Sequence, residues 1–508
     1  MAACIMLMGT SSHVGKSILT TALCRIFHQE GRHVVPFKAQ NMALNSYVTA
    51  DGDEMGRAQV AQAEAAGLLP FVDMNPVLLK PTGDARSQVI LMGKPVGNLS
   101  AKEYHRGYSL KAFGAVQKAL QRLQANYDTI VIEGAGSPAE INLKANDIVN
   151  MRVAKYLQAP VLLIADIDRG GALASLVGTL ELLDPDERAL VKGLIINKFR
   201  GDVSLLTPAL DFLEQKTGKP VLGVVPYLPD LGIDEEDSVS LDEKEDTRAA
   251  ELRLVVVRTP KISNFTDFDI LAHEPDVSLC YAQKPEDLQG ADLILLPGSK
   301  NTSEDLLWLQ HEGFAEEIQA ALKQGVPIIG ICGGYQMLGE KICDPHHVES
   351  DAGEVQGLSI LGTVTTFHEK KATYQVKARC EALPFLNKSI TLDGLEGYEI
   401  HMGTTDFLRA EAHPFCIQER GGQTCQDRDG TARADGLAFG TYLHGLFDHD
   451  NFRRTILNAL REHKGLAPLP VTLNARREKE RAYDRLAATV RDALDMQKLK
   501  AIMTECAT

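Results

Sequence analysis

Two short strings in this chain combine residue types that do chemistry together. Near the N-terminus, Gly9-Thr-Ser-Ser-His-Val-Gly-Lys-Ser17 joins glycines to a lysine and a hydroxyl. Glycines let backbone N–H groups turn inward around an anion, and a helix starting there adds partial positive charge. Lys16 would bridge the β- and γ-phosphates of a nucleotide and Ser17 would ligate Mg²⁺, with Gly9, Thr10 and Gly15 shaping the cradle. In the second half, Gly330-Ile-Cys-Gly-Gly334 sets a thiol among small residues, the pattern of a nucleophile elbow with cysteine in place of serine. At the head of a helix, the dipole would favour the Cys332 thiolate. The backbone N–H of Gly333 would face a developing oxyanion, and a second donor is expected around Gly298 in Leu296-Pro-Gly-Ser-Lys-Asn-Thr302.

The thiol needs a base. His444, in Thr441-Tyr-Leu-His-Gly-Leu-Phe447, ends a short apolar run at a glycine and is the candidate. His346, His347, His413 and His449 sit among polar residues and are assigned no role. Attack of Cys332 on the side-chain amide of glutamine would leave a thioester and ammonia. Joined to a phosphate-binding loop, that chemistry points to one reaction: ATP activates a carboxylate and ammonia converts it to an amide.

These residues need elements to position them. Short apolar runs at residues 4–8, 33–37, 129–132, 161–165, 193–197 and 221–225 read as strands, with helical segments such as 17–29, 55–66 and 112–124 between them. Continuous apolar strands separated by helices imply a parallel sheet covered on both faces, with ligand-binding loops along one edge. Lys38, just after the second run, could contact phosphate or an acyl-phosphate transition state. Glu133, closing the third run, would sit beside the phosphate loop as an oxygen ligand for Mg²⁺. Asp53 and Glu54 are either further acids for that metal or charges at the start of a helix from residue 55.

A break follows: residues 234–248 hold eight acids against two bases, the composition of a solvated linker. A second α/β pattern begins at residues 252–257 and continues through 292–297 and 326–331, with mixed strands expected between 357 and 447. The tail, 474–503, places Tyr483, Leu486, Val490 and Leu494 at helical spacing, an amphipathic helix packed on the body. The expected division is an ATP-binding domain at 1–232, an acidic linker at 233–250, a glutaminase domain at 251–452 and a helical tail at 453–508.

The 508 residues carry 44% hydrophobic and 24% charged side chains, an ordinary globular balance. A net charge of −15 argues against a general nucleic-acid partner. No apolar run is long enough for a membrane span, and the apolar N-terminus lacks the basic start of a signal peptide. Nine scattered cysteines without a Cys-x-x-Cys pair form neither a disulfide framework nor a zinc site, so reduced thiols and a cytoplasmic location are expected.

The phosphate loop has one residue more than the common spacing, and Gly-Thr-x-x-x-Val-Gly-Lys-Ser resembles the loop of dethiobiotin synthetase and its relatives, as does Glu133-Gly-Ala-Gly136. Beyond it, Pro36-Phe-Lys-Ala-Gln-Asn-Met-Ala-Leu-Asn45, Asn75-Pro-Val-Leu-Leu-Lys-Pro81, Asp166-Ile-Asp-Arg-Gly-Gly171, Pro297-Gly-Ser-Lys-Asn-Thr302 and Gly397-Tyr-Glu-Ile-His-Met-Gly403 together resemble the cobyric acid synthase family over nearly the whole chain. The resemblance implies an α/β fold: a dethiobiotin-synthetase-like P-loop domain with a parallel sheet, then a class I glutamine amidotransferase-like domain. It implies ATP, Mg²⁺ and glutamine, and a corrinoid substrate, adenosylcobyrinic acid a,c-diamide, amidated at its b, d, e and g carboxylates. It also implies Cys332 as nucleophile and His444 as its partner. The glutamate that many amidotransferases carry two residues after this histidine is Leu446 here, so the residue orienting His444 is left open. Glu399 and His401 could serve the site or the fold. Lys80, Arg86 and Arg169, read as loop residues, are candidates for holding the substrate's carboxylates. A homo-oligomer is compatible with this reading.

Three alternatives stay on the table. The sibling enzyme acting on the a and c carboxylates shares both sites, but Asn41-Met-Ala-Leu-Asn45 and Asp166-Ile-Asp-Arg-Gly-Gly171 favour the first reading. A P-loop switch ATPase would have no use for Cys332. A bare glutaminase would have no use for the phosphate loop.

Overall fold

The six apolar runs of the N-terminal half form one parallel sheet. The structure is a computed structural model that describes residues 2–83, 85–229, 231–233, 241 and 250–505. Across the sheet lie Val221–Pro226, Val191–Phe199, Val161–Asp166, Ala3–Gly9, Thr129–Glu133 and Val34–Phe37, in that order and all parallel. The runs are apolar throughout because both faces are covered. Ile5, Leu7, Val131 and Ile164 share one core with Leu19, Leu23 and Phe27 of the helix Lys16–Gln29. The phosphate loop leaves the end of Ala3–Gly9, a central strand, where an α/β sheet opens a ligand crevice.

The chain forms two compact units. The first comprises Met1–Met42, Met55–Ile233 and Glu478–Thr508; the second comprises Ala43–Glu54 and Asp234–Arg477. This differs from the division read from sequence at two places. Residues 43–54, inside the expected ATP-binding domain, belong to the second unit, and the end of the expected tail belongs to the first. The tail's apolar stripe explains its place: Tyr483, Leu486 and Val490 are buried in the same core as Leu19 and Phe27, and Arg25 and Gln29 both hold Asp484. From residue 475 on, the described residues form two helices, Ala475–Ala493 and Met496–Glu505. The acidic linker falls almost entirely outside the described residues.

The first unit also holds a sheet that the sequence did not announce, built from Gln40–Met42, Val77–Gly83, Arg86–Leu91 and Lys94–Ser100. Its outermost strand is largely exposed and carries Pro95 and Gly97, so no alternation marks it. Lys80 and Arg86, expected in loops, lie on these strands.

The second unit has its own sheet: Val277–Ala282, Leu252–Val257, Leu293–Leu296, Ile328–Ile331 and Ala438–Thr441 in parallel, with Thr431–Ala432 antiparallel at the edge. Leu293–Leu296, Ile328–Ile331 and Ala438–Thr441 are neighbours. Gly298, Cys332 and His444 follow their C-terminal ends, so three distant stretches of sequence meet along one edge. The mixed strands expected after residue 357 are dominated by a long hairpin, Thr363–Phe385 with Lys388–Phe407.

Candidate functional site

In the first unit, Gly15 precedes the helix at φ 95°, and a Cβ there would lie 2.1 Å from Asn197 Nδ2. Glycine is the residue that fits such a turn. Asn197 Nδ2 in turn donates to the Val14 carbonyl at 2.7 Å, bracing the loop. Lys16 is buried, its Nζ donating to the carbonyls of Ser11 at 2.9 Å and Gly136 at 3.1 Å. Burial, and the nearby Lys38, push its pKa down to about 8 despite the pull of Glu133. The N–H of Thr10 donates to the Ile164 carbonyl at 2.9 Å, so only its hydroxyl remains to meet a nucleotide.

Glu133 is the hub of this site. Its carboxylate accepts from Ser17 Oγ at 2.8 Å, Lys38 Nζ at 2.9 Å and Gln62 Nε2 at 2.6 Å, although it is 1% exposed. Burial alone would raise its pKa, but Lys38 and these donors hold it below the ordinary carboxylate value. A buried carboxylate persists only when so paired. Ser17 and Glu133 therefore stand together as one hydroxyl and one carboxylate, a donor set that fits Mg²⁺, which keeps waters and phosphate oxygens in its shell. Among the described residues no cluster of three or more His, Cys, Asp or Glu could cage an ion alone. Asp53, expected as a third metal ligand, lies in the 43–54 segment of the second unit. Arg169 is exposed after the strand Val161–Asp166.

In the second unit, Cys332 stands between the strand Ile328–Ile331 and the helix Gly333–Leu338 with φ 53° and ψ −109°. A non-glycine residue held there is strained, as at other nucleophile elbows. The turn is that tight because Gly334 packs against the neighbouring strand: a Cβ on it would be 2.1 Å from the Leu296 carbonyl oxygen. The Cys332 N–H donates to the Thr441 carbonyl at 2.8 Å, tying the elbow to the strand that leads to His444. The thiol itself donates to the Ile400 carbonyl at 3.5 Å.

His444 is 1% exposed, and its Nδ1 is 2.7 Å from Asp267 Oδ2. The other Asp267 oxygen accepts the Gly445 N–H at 2.9 Å. Nε2 is closed to solvent and faces the Cys332 thiol, which helps to hold a proton on the imidazole. Burial disfavours the imidazolium, but Asp267, with a smaller effect from the nearby Cys332 thiol, pushes the His444 pKa up to about 10. Asp267 is the orienting residue that spacing could not reveal. Its one signal was an acid set between Phe265 and Phe268, both buried.

The loop that carries Gly298 runs beside the elbow. Ser263 pairs with Gly298 and Ile262 with Ser299 in an antiparallel ribbon, and the Lys300 N–H donates to the Lys261 carbonyl at 2.9 Å. Hydrogen-bonded and open pairs alternate along such a ribbon. Gly298 is therefore committed to Ser263, and the Ser299 N–H faces outward. A Cβ on Gly333 would lie 2.7 Å from that nitrogen. Gly333 and Ser299 thus lie side by side at the elbow, with Gly298 paired to Ser263.

Glu399 is held by Arg420 at 2.8 and 3.1 Å. His401 stacks on Tyr442 with ring centres 3.8 Å apart, and burial together with His444 lowers its pKa to about 4. It is a neutral imidazole at physiological pH.

Residues 5–240 match the CobQ/CobB/MinD/ParA nucleotide binding domain, and residues 253–452 match the CobB/CobQ-like glutamine amidotransferase domain. The chain is 55% identical to the cobyric acid synthase of Moorella thermoacetica, over 99% of this chain and 98% of that one. It is 53% identical to that of Pelotomaculum thermopropionicum, over 99% and 97%, and 50% identical to that of Salmonella choleraesuis, over 99% and 98%. No helix among the described residues is long and apolar enough to cross a membrane. With a Glu133-centred phosphate loop in one unit, a strained Cys332 beside an Asp267-held His444 in the other, and relatives matched from end to end, the chain belongs to the cobyric acid synthase family.

Proposed function

We propose that this protein converts adenosylcobyrinic acid a,c-diamide to adenosylcobyric acid by amidating the b, d, e and g carboxylates with ATP and glutamine. The observation that carries the reading is the coexistence, in one chain, of the Ser17–Glu133–Lys38 cluster at a phosphate loop and the Cys332–His444–Asp267 arrangement. The first suits activation of a carboxylate, the second release of ammonia.

At the glutaminase, His444 takes the thiol proton at Nε2 while Asp267 stabilises the imidazolium from the other side. The Cys332 thiolate attacks the amide carbon of glutamine, and the N–H groups of Gly333 and Ser299 hold the oxyanion. His444 returns the proton to the departing ammonia, and water later hydrolyses the thioester to glutamate. At the phosphate loop, Lys16 binds the terminal phosphates and Lys38 offsets charge that develops as the substrate carboxylate attacks phosphorus. Mg²⁺, when bound by Ser17 and Glu133 with phosphate oxygens, would add Lewis-acid charge neutralisation. Ammonia then displaces phosphate from the acyl phosphate to form the amide. ATP and glutamine are cytoplasmic metabolites, and we place the enzyme in that compartment.

The test is mass spectrometry of the corrinoid after incubation with enzyme, Mg·ATP and glutamine. Four amidations, each lowering the mass by about one dalton as hydroxyl becomes amino, are expected. Cys332→Ala should abolish the glutamine-dependent reaction and leave the ammonia-dependent one. Turnover of cobyrinic acid alone would favour the sibling enzyme, and continued use of glutamine by Cys332→Ala would remove the thiol from the mechanism.

A further inference from the structure

Residues 43–54 interrupt the nucleotide-binding half of the sequence yet belong to the second unit, where they run beside the strand Thr363–Phe385. Gln375 Nε2 donates to the Val48 carbonyl, Thr373 Oγ1 to the Gly52 carbonyl at 2.9 Å, and Lys371 Nζ to Glu54 at 2.6 Å. The Lys371–Glu54 pair is buried on both sides, at 8% and 0% exposure. So many anchors exceed what a connecting loop needs, and their purpose shows at residues 46–48.

Those three residues touch the two groups that frame His444. The Ser46 N–H donates to Asn264 Oδ1 at 3.2 Å, and Asn264 Nδ2 donates to the Tyr398 hydroxyl at 3.2 Å. Asn264, at φ 53°, starts the short helix Phe265–His273, and its carbonyl accepts the Asp267 N–H at 3.1 Å. Tyr398 stacks on His444 with ring centres 4.9 Å apart and planes 12° apart, and the two residues exchange backbone hydrogen bonds at 3.3 and 2.9 Å. Tyr47 packs its ring 5.1 Å from that of Tyr398, and Val48 shares a buried cluster with Tyr398 and Ile400. Ile400 carries the carbonyl that accepts the Cys332 thiol. Each wall of the Cys332–His444–Asp267 arrangement is thus backed by a residue that residues 46–48 contact.

We infer that Ser46, Tyr47 and Val48 are positioning residues of the glutaminase, fixing the plane of His444 through Tyr398 and the reach of Asp267 through Asn264. Their effect falls on turnover, since a tilted imidazole slows proton transfer without changing how glutamine is held. The inference rests on the glutaminase reading above.

The full-length chain tests it with three variants. Tyr47→Ala should lower kcat for glutamine hydrolysis by about tenfold or more with KM for glutamine little changed, and ammonia-dependent amidation should persist at the unaltered rate. Tyr47→Phe, which keeps the ring, should restore kcat. Asn264→Gly keeps a positive φ accessible while deleting the bridging amide, and should reproduce the loss. Retention of kcat in both Tyr47→Ala and Asn264→Gly would overturn the inference, as would an equal fall of the ammonia-dependent rate in Tyr47→Ala, the mark of a general folding defect. If the unaltered chain released no ammonia from glutamine, the glutaminase reading would fall first and take this inference with it.

Discussion

Asp267 Oδ2 lies 2.7 Å from Nδ1 of His444, a residue 177 positions further along the chain. The same carboxylate also holds the Gly445 N–H, so it fixes the ring and the turn that follows it. A carboxylate accepts only, which sets the tautomer: Nδ1 donates to Asp267, and Nε2 is left to face the thiol. Because burial opposes the imidazolium, the high pKa of His444 is owed chiefly to Asp267, with a smaller part from Cys332.

Replacing Asp267 by Asn should therefore move the alkaline limb of glutamine hydrolysis. In the unaltered enzyme the proton on His444 persists until the pH passes about 10. In Asp267→Asn, only the smaller pull of Cys332 opposes burial, and the limb should move to lower pH. The rate near pH 8 should drop by about 100-fold or more. A pH–rate profile of ammonia release from about pH 6 to 11 measures both, and an unshifted limb would contradict the assignment.

The same pair links pH to stability. A folded-state pKa raised from 6.5 to about 10 means that the pair's contribution is fully present below pH 6.5 and is lost as the pH rises through about 10. Urea midpoints of the unaltered chain should fall across that window more steeply than those of Asp267→Asn.

Lys16 predicts a proton uptake. Its pKa of about 8 in the unliganded site means that part of the population is neutral above that pH, and a triphosphate will favour the charged form. Calorimetric titration with ATP at about pH 8.5, in buffers of different ionisation enthalpy, should show protons taken up on binding. Uptake should vanish in Lys16→Met.

Glu133→Gln should separate the two activities. Removing the charge that Lys38 and Ser17 share ought to suppress ATP-dependent amidation by about 100-fold or more, with glutamine or ammonia as donor. Glutamine hydrolysis in the second unit should continue. Parallel assays of phosphate release and glutamate formation would show it.

Leu486→Ala should destabilise the first unit by about 2–5 kcal/mol, because Leu486 is fully buried against Leu19, Leu23 and Phe27. Gly334→Ala, whose Cβ would collide with the Leu296 carbonyl, should cost about 1–3 kcal/mol and displace the elbow. Chemical denaturation measures each, and a neutral Leu486→Ala would detach the tail from that core.

All strands of the first parallel sheet and most of the second were legible because burial on two faces leaves an unbroken apolar run, as in Leu252–Val257 or Ile328–Ile331, whereas Val277–Ala282 was not singled out. The elbow and the phosphate loop were legible because each compresses its geometry into a few adjacent residues. Asp267 was not, since only tertiary folding brings a short 3-10 helix against a distant histidine. Nor could sequence place Ser299 beside Gly333, because that depends on the register of a two-stranded ribbon. The strands Arg86–Leu91 and Lys94–Ser100 escaped because they are mostly solvated and lack alternation.

The chain crosses between its two units four times: after Met42, Glu54, Ile233 and Arg477. No single break can therefore divide it into two self-sufficient genes. A fission near the acidic stretch would leave the downstream product without the strand that backs Tyr398 and the upstream product without the helix that covers Phe27. Any natural two-subunit counterpart must have rebuilt both surfaces, and an engineered one must carry residues 43–54 and 478–508 to the opposite partner.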